Sequence, residues 1–183
     1  MTQAIIDPTA GRRRGPAAQP HPADRLDSLR GLRIGLLENT KRNAAAILDS
    51  IGSELETADG VSSLRRYRKE NFAFPLPGEM VEQIAAECDA VVIGVGDCGS
   101  CSASAVADGI ALEALGLPAA VICTDAFEVS SGAMAALKGR PDFPYIRTAH
   151  PVANLTDTDV PVRAQQLADP VRDLLLGRTE TDR

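Results

Sequence analysis

Residues 91–102, Val-Val-Ile-Gly-Val-Gly-Asp-Cys-Gly-Ser-Cys-Ser, restrict the possible folds of this chain more than any other stretch. The apolar run is short, β-branched and flanked by glycine, so it reads as a buried strand rather than a helix. Behind it, residues 103–115 carry apolar positions at helical spacing, and Gly116 and Pro118 stop that helix. The turn between the two holds Cys98 and Cys101 in a CxxC arrangement. Two thiols between a strand and a helix start are the one feature of the chain that looks like chemistry.

The rest of the sequence alternates in the same manner. Strands are expected over 32–37, 60–68, 119–124 and 144–149, with charges placing 60–68 near the sheet edge. Helical spacing links Ala44, Ile47, Leu48, Ile51 and Leu55, then Met80, Val81, Ile84, Ala85 and Cys88, and continues from Glu128 toward Leu137. Asn39, Thr40 and Asn43 are candidate caps for the first of these helices. A last helix is expected from Asp159 toward Leu176, capped by Asp159, with Pro161 in its first turn and Pro170 kinking or splitting it. The pattern predicts an α/β fold of three layers: a mostly parallel, flavodoxin- or Rossmann-like sheet with helices on both faces. Residues 1–29, rich in Pro, Ala, Arg and Asp without periodicity, read as a flexible arm; 30–178 as one domain; 179–183 as a disordered tail.

Composition excludes several function classes. A net charge of −6 argues against a general nucleic-acid binder, and Arg12, Arg13 and Arg14 read as a solvated cluster. No apolar run has the roughly 18 residues of a membrane span. The N-terminus lacks the apolar core of a secretory signal, so a cytoplasmic setting is expected. There, four cysteines suggest redox chemistry, a nucleophile or a metal rather than a disulfide framework.

Loops leaving the C-terminal ends of parallel strands share one edge, where ligands bind in such sheets. Those loops carry Asn39 and Lys41, then Asp97 through Ser102, then Thr124, Asp125 and Glu128, then His150; the opposite loops are short and bland. Cys98 stands just before a helix, where the dipole and free N–H groups favour an anion and so lower a thiol pKa. It is the expected nucleophile. Cys101, one turn on, is the expected resolving thiol. Gly99 lets the turn close tightly, Ser100 and Ser102 add hydroxyls, Asn39 and Lys41 are placed to hold an anionic group, and His150 to move a proton.

Other readings of these residues stand beside this one. Residues 94–99 match GxGxxG literally, but on an internal strand and with Asp125 too far along for the ribose. A zinc site has no second CxxC to complete it, and Cys123 with His150 is the available remainder. Cys88 reads as a core residue, and Cys123 as core or as a third thiol in the site. His150 reads equally well as a loop or cap residue, Lys41 as a solvated charge, and Asp125 and Glu128 as helix-start acids. The loop holding Phe72 and Phe74 is core packing or a lid. No metal or cofactor is expected.

Residues 92–101, Val-Ile-Gly-Val-Gly-Asp-Cys-Gly-Ser-Cys, resemble the UGSC family of (seleno)proteins, in which the first motif position is selenocysteine or cysteine. Residues 38–43, Glu-Asn-Thr-Lys-Arg-Asn, look like that family's DNSKPN-type segment, with Arg42 where proline is common; 121–127 and 149–151 are similar to its later blocks. The family is in turn similar to the selenoprotein B component of glycine, sarcosine and betaine reductases. The resemblance implies that Cys98 occupies the selenocysteine position and Cys101 the resolving one. It implies an enzyme, or the thiol-bearing subunit of one, in which Cys98 attacks a small electrophilic substrate, and the loop residues Asn39 and Lys41 suit an anionic one. A homo-oligomer or a complex with a second family subunit is the expected assembly. The alternative is a non-catalytic redox switch or partner-binding module, in which a reversible Cys98–Cys101 disulfide is reduced by a thioredoxin-like partner.

Overall fold

The computed structural model describes residues 21–178. Five strands form one parallel sheet: β1 (Arg33–Glu38), β2 (Ser63–Arg68), β3 (Ala90–Gly96), β4 (Ala119–Thr124) and β5 (Ile146–Thr148). Their order is β2-β1-β3-β4-β5, the flavodoxin-like arrangement, with the chain reversing direction across the sheet between β1 and β3. β3 and β4 are buried at every position, which is why their sequences are continuous apolar runs rather than alternations. β2 is the edge strand that its arginines announced.

Alternate strand residues feed two separate cores. On one face Ile34, Leu36, Val92 and Ile122 meet α1 (Ala44–Glu54) and α5 (Asp159–Leu176). On the other, Leu37, Val91, Ile93 and Val121 meet α2 (Gly78–Glu87), α3 (Gly99–Glu113) and α4 (Glu128–Leu137). The fold is therefore three layers, helix–sheet–helix, as the pattern predicts. α3 runs close over the sheet: a Cβ on Gly109 would come within 2.5 Å of Val121 and 2.9 Å of Phe143.

Four expectations are corrected. Pro170 does not split α5, which is continuous from Asp159 to Leu176. Pro170 frees only the carbonyl of Gln166, which lies on the exposed side of the helix where water can satisfy it. Asp159 is the first residue of α5 rather than its cap, and its carboxylate instead accepts the Thr156 N–H and hydroxyl. Asn43 is the residue preceding α1, but its side chain caps nothing there; Nδ2 donates to the carbonyls of Val152 (3.0 Å) and Leu155 (2.9 Å). Of the expected arm 1–29, residues 21–29 lie against the domain: Ala23 and Leu29 are buried, and Leu26 N–H donates to Leu175 O at 3.1 Å. The remainder of the arm and the tail 179–183 fall outside the described residues.

Candidate active site

The site begins where β3 stops. A Cβ on Gly96 would stand 2.7 Å from Ser102 Oγ and 2.8 Å from both Ser102 Cα and Cys123 Sγ, so only glycine lets the end of β3 pass under the first turn of α3. A Cβ on Gly99 would meet Ser130 Oγ at 3.3 Å. The glycines of the GxGxxG-like stretch thus answer to close packing around the turn. The Gly94–Val95 and His150–Pro151 peptide bonds beside it are cis.

Cys98 is the N-cap of α3, with extended backbone (φ −157°, ψ 167°). The spacing of three that defines CxxC is also that of a capping box, and here sulfur takes both side-chain roles. Cys98 Sγ accepts the Cys101 N–H at 3.3 Å, and Cys101 Sγ accepts the Cys98 N–H at 3.0 Å and the Asp97 N–H at 3.1 Å. The two sulfurs are 2.8 Å apart, with the Cys98 thiol donating to Cys101 Sγ and the Cys101 thiol donating to the Cys98 carbonyl at 3.3 Å, and Ser100 Oγ lies 3.6 Å from Cys98 Sγ. Both thiols are free.

The electrostatics separate the pair. Burial pushes the Cys98 thiol up, but hydrogen bonds from the Cys101 thiol, the Ser100 hydroxyl and the Cys101 N–H, with the Lys41 ammonium, outweigh it. Cys98 is held below the ordinary cysteine value. The dipole of the 15-residue helix behind it acts in the same direction. Cys101 is only 1% exposed; burial first, then the neighbouring Cys98 sulfur, push it up to about 12 against the pull of the Asp97 and Cys98 amides. Two amides aimed at Cys101 would on their own favour charge there, so burial decides the matter. The arrangement is a partly exposed thiol whose ionisation is favoured beside a buried thiol whose ionisation is opposed.

Asp97 fixes a second half of the site to the first. Its side chain is 4% exposed, Oδ1 accepts from Val152 N–H and pairs with His150 Nδ1 (both 3.0 Å), and Oδ2 accepts the Ala153 N–H at 2.8 Å. An ionised carboxylate only accepts, so the proton on the imidazole bond belongs to Nδ1 and Nε2 is left free. Asp125 Oδ1 accepts the His150 backbone N–H at 3.2 Å, and the Phe127 ring meets the imidazole edge-on at a centroid distance of 5.3 Å.

The sequence matches the UGSC family model over residues 4–177. The chain belongs to the UGSC family. No curated protein matches it. Among solved structures, it is similar to the flavodoxin-like domain of a Synechococcus sp. protein, at 16% identity over 77% of this chain and 94% of that one, with a TM-score of 0.40.

In this UGSC protein the expected site residues divide into two groups. Cys98, Gly99, Ser100 and Cys101 share the turn, and His150 is joined to that turn through Asp97. Lys41 acts electrostatically on Cys98, with its ammonium 4.2 Å above the Phe72 ring. Asp125 holds the His150 backbone. Three others are sealed and so are corrected from substrate contacts to supports. Asn39 is 1% exposed, with Nδ2 donating to Val95 O at 2.9 Å; Ser102 is fully buried against Gly96; and Thr124 is fully buried, its Oγ1 3.3 Å from His150 Nδ1. Glu128 is turned to the surface, in an exposed ion pair with Arg147 at 2.8 Å.

Cys88 and Cys123 lie in the core beneath α2 and α3, and burial raises Cys123 to about 11. Among the described residues, no group of three or more His, Cys, Asp and Glu is placed to hold a metal ion. No helix of the described residues is long and apolar enough to cross a membrane. A cavity of about 170 Å³ opens between α1 and β2, and one of about 160 Å³ under the 69–77 loop; neither is lined by Cys98, Cys101 or His150. Sequence reading placed Asp97 in the site loop but gave it no role. Its only local signal was an acid immediately before the motif, with no hint of partners more than 50 positions away.

Proposed function

We propose that the chain is a thiol-dependent enzyme, or the thiol-bearing subunit of one, in which Cys98 attacks an electrophilic small molecule and Cys101 resolves the adduct. One observation carries this reading: a partly exposed thiol, lowered in pKa, caps a long helix with a second, buried thiol 2.8 Å from it. The Cys98 thiolate forms a sulfur–carbon bond as the leaving group departs with the electron pair of the broken bond. The proton that Cys98 gives up on ionising is taken at the open Nε2 of the imidazole and passed from there to that leaving group. Cys101 then gives up its own proton, attacks the Cys98 sulfur and expels the carbon fragment, which takes a proton. The sum is one substrate reduced by two electrons and one dithiol oxidised to a disulfide, which an external dithiol of the thioredoxin type restores. Expelling carbon in this way requires a stabilised carbanion, so the reacting carbon is one next to a carbonyl or carboxylate. Lys41 suits an anionic group on such a molecule.

The test is substrate-independent at first. Iodoacetamide labelling of Cys98, followed by intact mass against pH, is expected to inflect below the ordinary cysteine range; an inflection at or above that range overturns the reading. With a screen of α-substituted carboxylates, Cys98→Ser is expected to abolish turnover, and Cys101→Ser to accumulate a covalent adduct. A reversible Cys98–Cys101 disulfide without turnover of any small molecule would favour the redox-switch alternative, in which the same 2.8 Å sulfur pair serves an interface.

A further inference from the structure

Cations around β1 and β2 are held by carboxylates: Arg33 meets Asp89, Arg66 meets Asp49 and Arg68 meets Glu38. Lys41 is held differently. Among the described residues no carboxylate pairs with its ammonium, and the Phe72 ring lies 4.2 Å from it instead. A carboxylate would neutralise that charge. A ring attracts it through the π face and leaves the charge, with the N–H groups turned away from the ring, to another anion. The backbone on either side of Lys41 is fixed. Thr40 and Asn43 take left-handed conformations (φ 64° and 69°), uncommon outside glycine and more so for a β-branched threonine. Thr40 N–H donates to Glu38 Oε2 at 2.6 Å, and the Lys41 carbonyl accepts the Ala44 N–H at 3.1 Å. Asn39 N–H donates to Gly94 O at 3.1 Å, so this turn stands beside the end of β3 from which the Cys98 turn leaves. The loop that carries Phe72 is fixed as well: Lys69 N–H donates to Glu38 O at 3.0 Å, and Leu76 N–H to Asp108 Oδ1 at 2.8 Å. The ring itself is 36% exposed and belongs to neither core.

We infer that Phe72 is a positioning residue: its ring holds the Lys41 ammonium, still charged, beside the Cys98 turn, and so makes the site select anionic electrophiles over neutral ones of the same shape. The inference rests on the reading of Cys98 as the attacking thiol and adds the group that fixes the counter-charge. A lysine stem has four flexible carbons, and without a partner its ammonium samples water as readily as the site. Contact with the ring narrows that range. The Lys41 charge bears on the Cys98 sulfur, and the same charge attracts a carboxylate arriving with the reacting carbon. Phe74 supplies the internal comparison. It stands two residues further along the same loop, is 67% exposed and, among the described residues, has no cation over its ring. A loop that merely covered the site would use both rings alike; a loop that holds Lys41 uses Phe72 alone.

Iodoacetate and iodoacetamide test it, because they share the reacting carbon and the iodide leaving group and differ in charge. Cys98 alkylation is followed on the full chain by intact mass, with peptide mapping to place the label, and expressed as the ratio of the anionic to the neutral rate. Both reagents consume the same thiolate, so the ratio cancels any change in Cys98 ionisation. The ratio is expected to exceed that of N-acetylcysteine in the same buffer. Lys41→Gln is expected to lower it about threefold and Phe72→Leu about twofold. Phe72→Tyr, which keeps the ring, and Phe74→Leu are expected to leave it unchanged. In a Lys41→Gln background, Phe72→Leu is expected to have no further effect. A ratio no higher than that of the free thiol, a Phe72→Leu ratio equal to the parent's, or an equal fall from Phe72→Leu in the Lys41→Gln background each overturns the proposal. Failure of the Cys98 reading shows differently, as alkylation by both reagents that sets in only at or above the ordinary cysteine range.

Discussion

Two coupled pairs of ionisable side chains sit on α3 within three turns of each other, and they have opposite fates. At the helix start are Cys98 and Cys101. Further along, Asp108 pairs with Lys69, the residue directly after β2; their side chains are 1% and 2% exposed. Every polar group around this second pair is used: Lys69 Nζ donates to Ser104 Oγ at 2.6 Å and to Asp108. Asp108 Oδ1 accepts the Leu76 N–H at 2.8 Å, and Ser104 donates to Phe74 O at 2.7 Å. Burial raises the Asp108 carboxyl while the Lys69 charge opposes it. The result is a clasp that fastens the 69–77 loop to α3. The thiol pair instead leaves one member partly open, with its negative form favoured by the helix end. What separates the two pairs is access and the helix terminus, not the closeness of the partners.

The largest expected effect breaks the sealed pair. Asp108→Asn leaves an unpaired ammonium in the interior and is expected to cost about 3–5 kcal/mol in denaturant unfolding. The pH profile of Cys98 labelling should stay where it is; a change in that profile would mean the two pairs are not independent. Gly96→Ala comes next. Its methyl collides with the Ser102 backbone as well as with two side chains, so about 1–3 kcal/mol of stability is lost. Because the collision displaces the first turn of α3, Cys98 labelling slows as well, which Asp108→Asn does not do.

Asp97→Asn tests the join between the two halves of the site. It puts an amide N–H₂ where an acceptor is needed by the Ala153 N–H or by Val152 and His150, costing about 1–3 kcal/mol and releasing the imidazole from its set orientation. Activity is expected to fall about tenfold, with the His150-dependent limb of the pH–rate profile altered. The smallest effect belongs to Lys41→Gln. Its charge favours the Cys98 thiolate, so removing it should raise the inflection of labelling by about half a pH unit. The sign is fixed: a higher pKa means less thiolate, and slower labelling, at neutral pH.

The parts of this architecture carried by short-range pattern were legible in the sequence. Continuous apolar runs marked β3 and β4, and the spacing of Cys98 and Cys101 before a helical pattern placed a thiol at a helix start. Arginines on β2 marked an edge. Pairings between distant segments were not legible. Asp108 lies in a helical stretch where an acid ordinarily faces water, and nothing local tells that Lys69 reaches it through the loop. Asn39 and Thr124 have the polarity of substrate contacts, yet both are buried at the ends of their strands. Pro170 was misread because its effect depends on which way the orphaned carbonyl points, and that is a tertiary fact.

The carboxylate of Asp97 has one more implication, for the order in which the protein is made. Every group it grips comes from residues 150–153, encoded more than 50 codons after it. A nascent chain therefore displays both sulfurs well before it owns the imidazole, and the candidate site is finished only when the fifth strand arrives on the sheet.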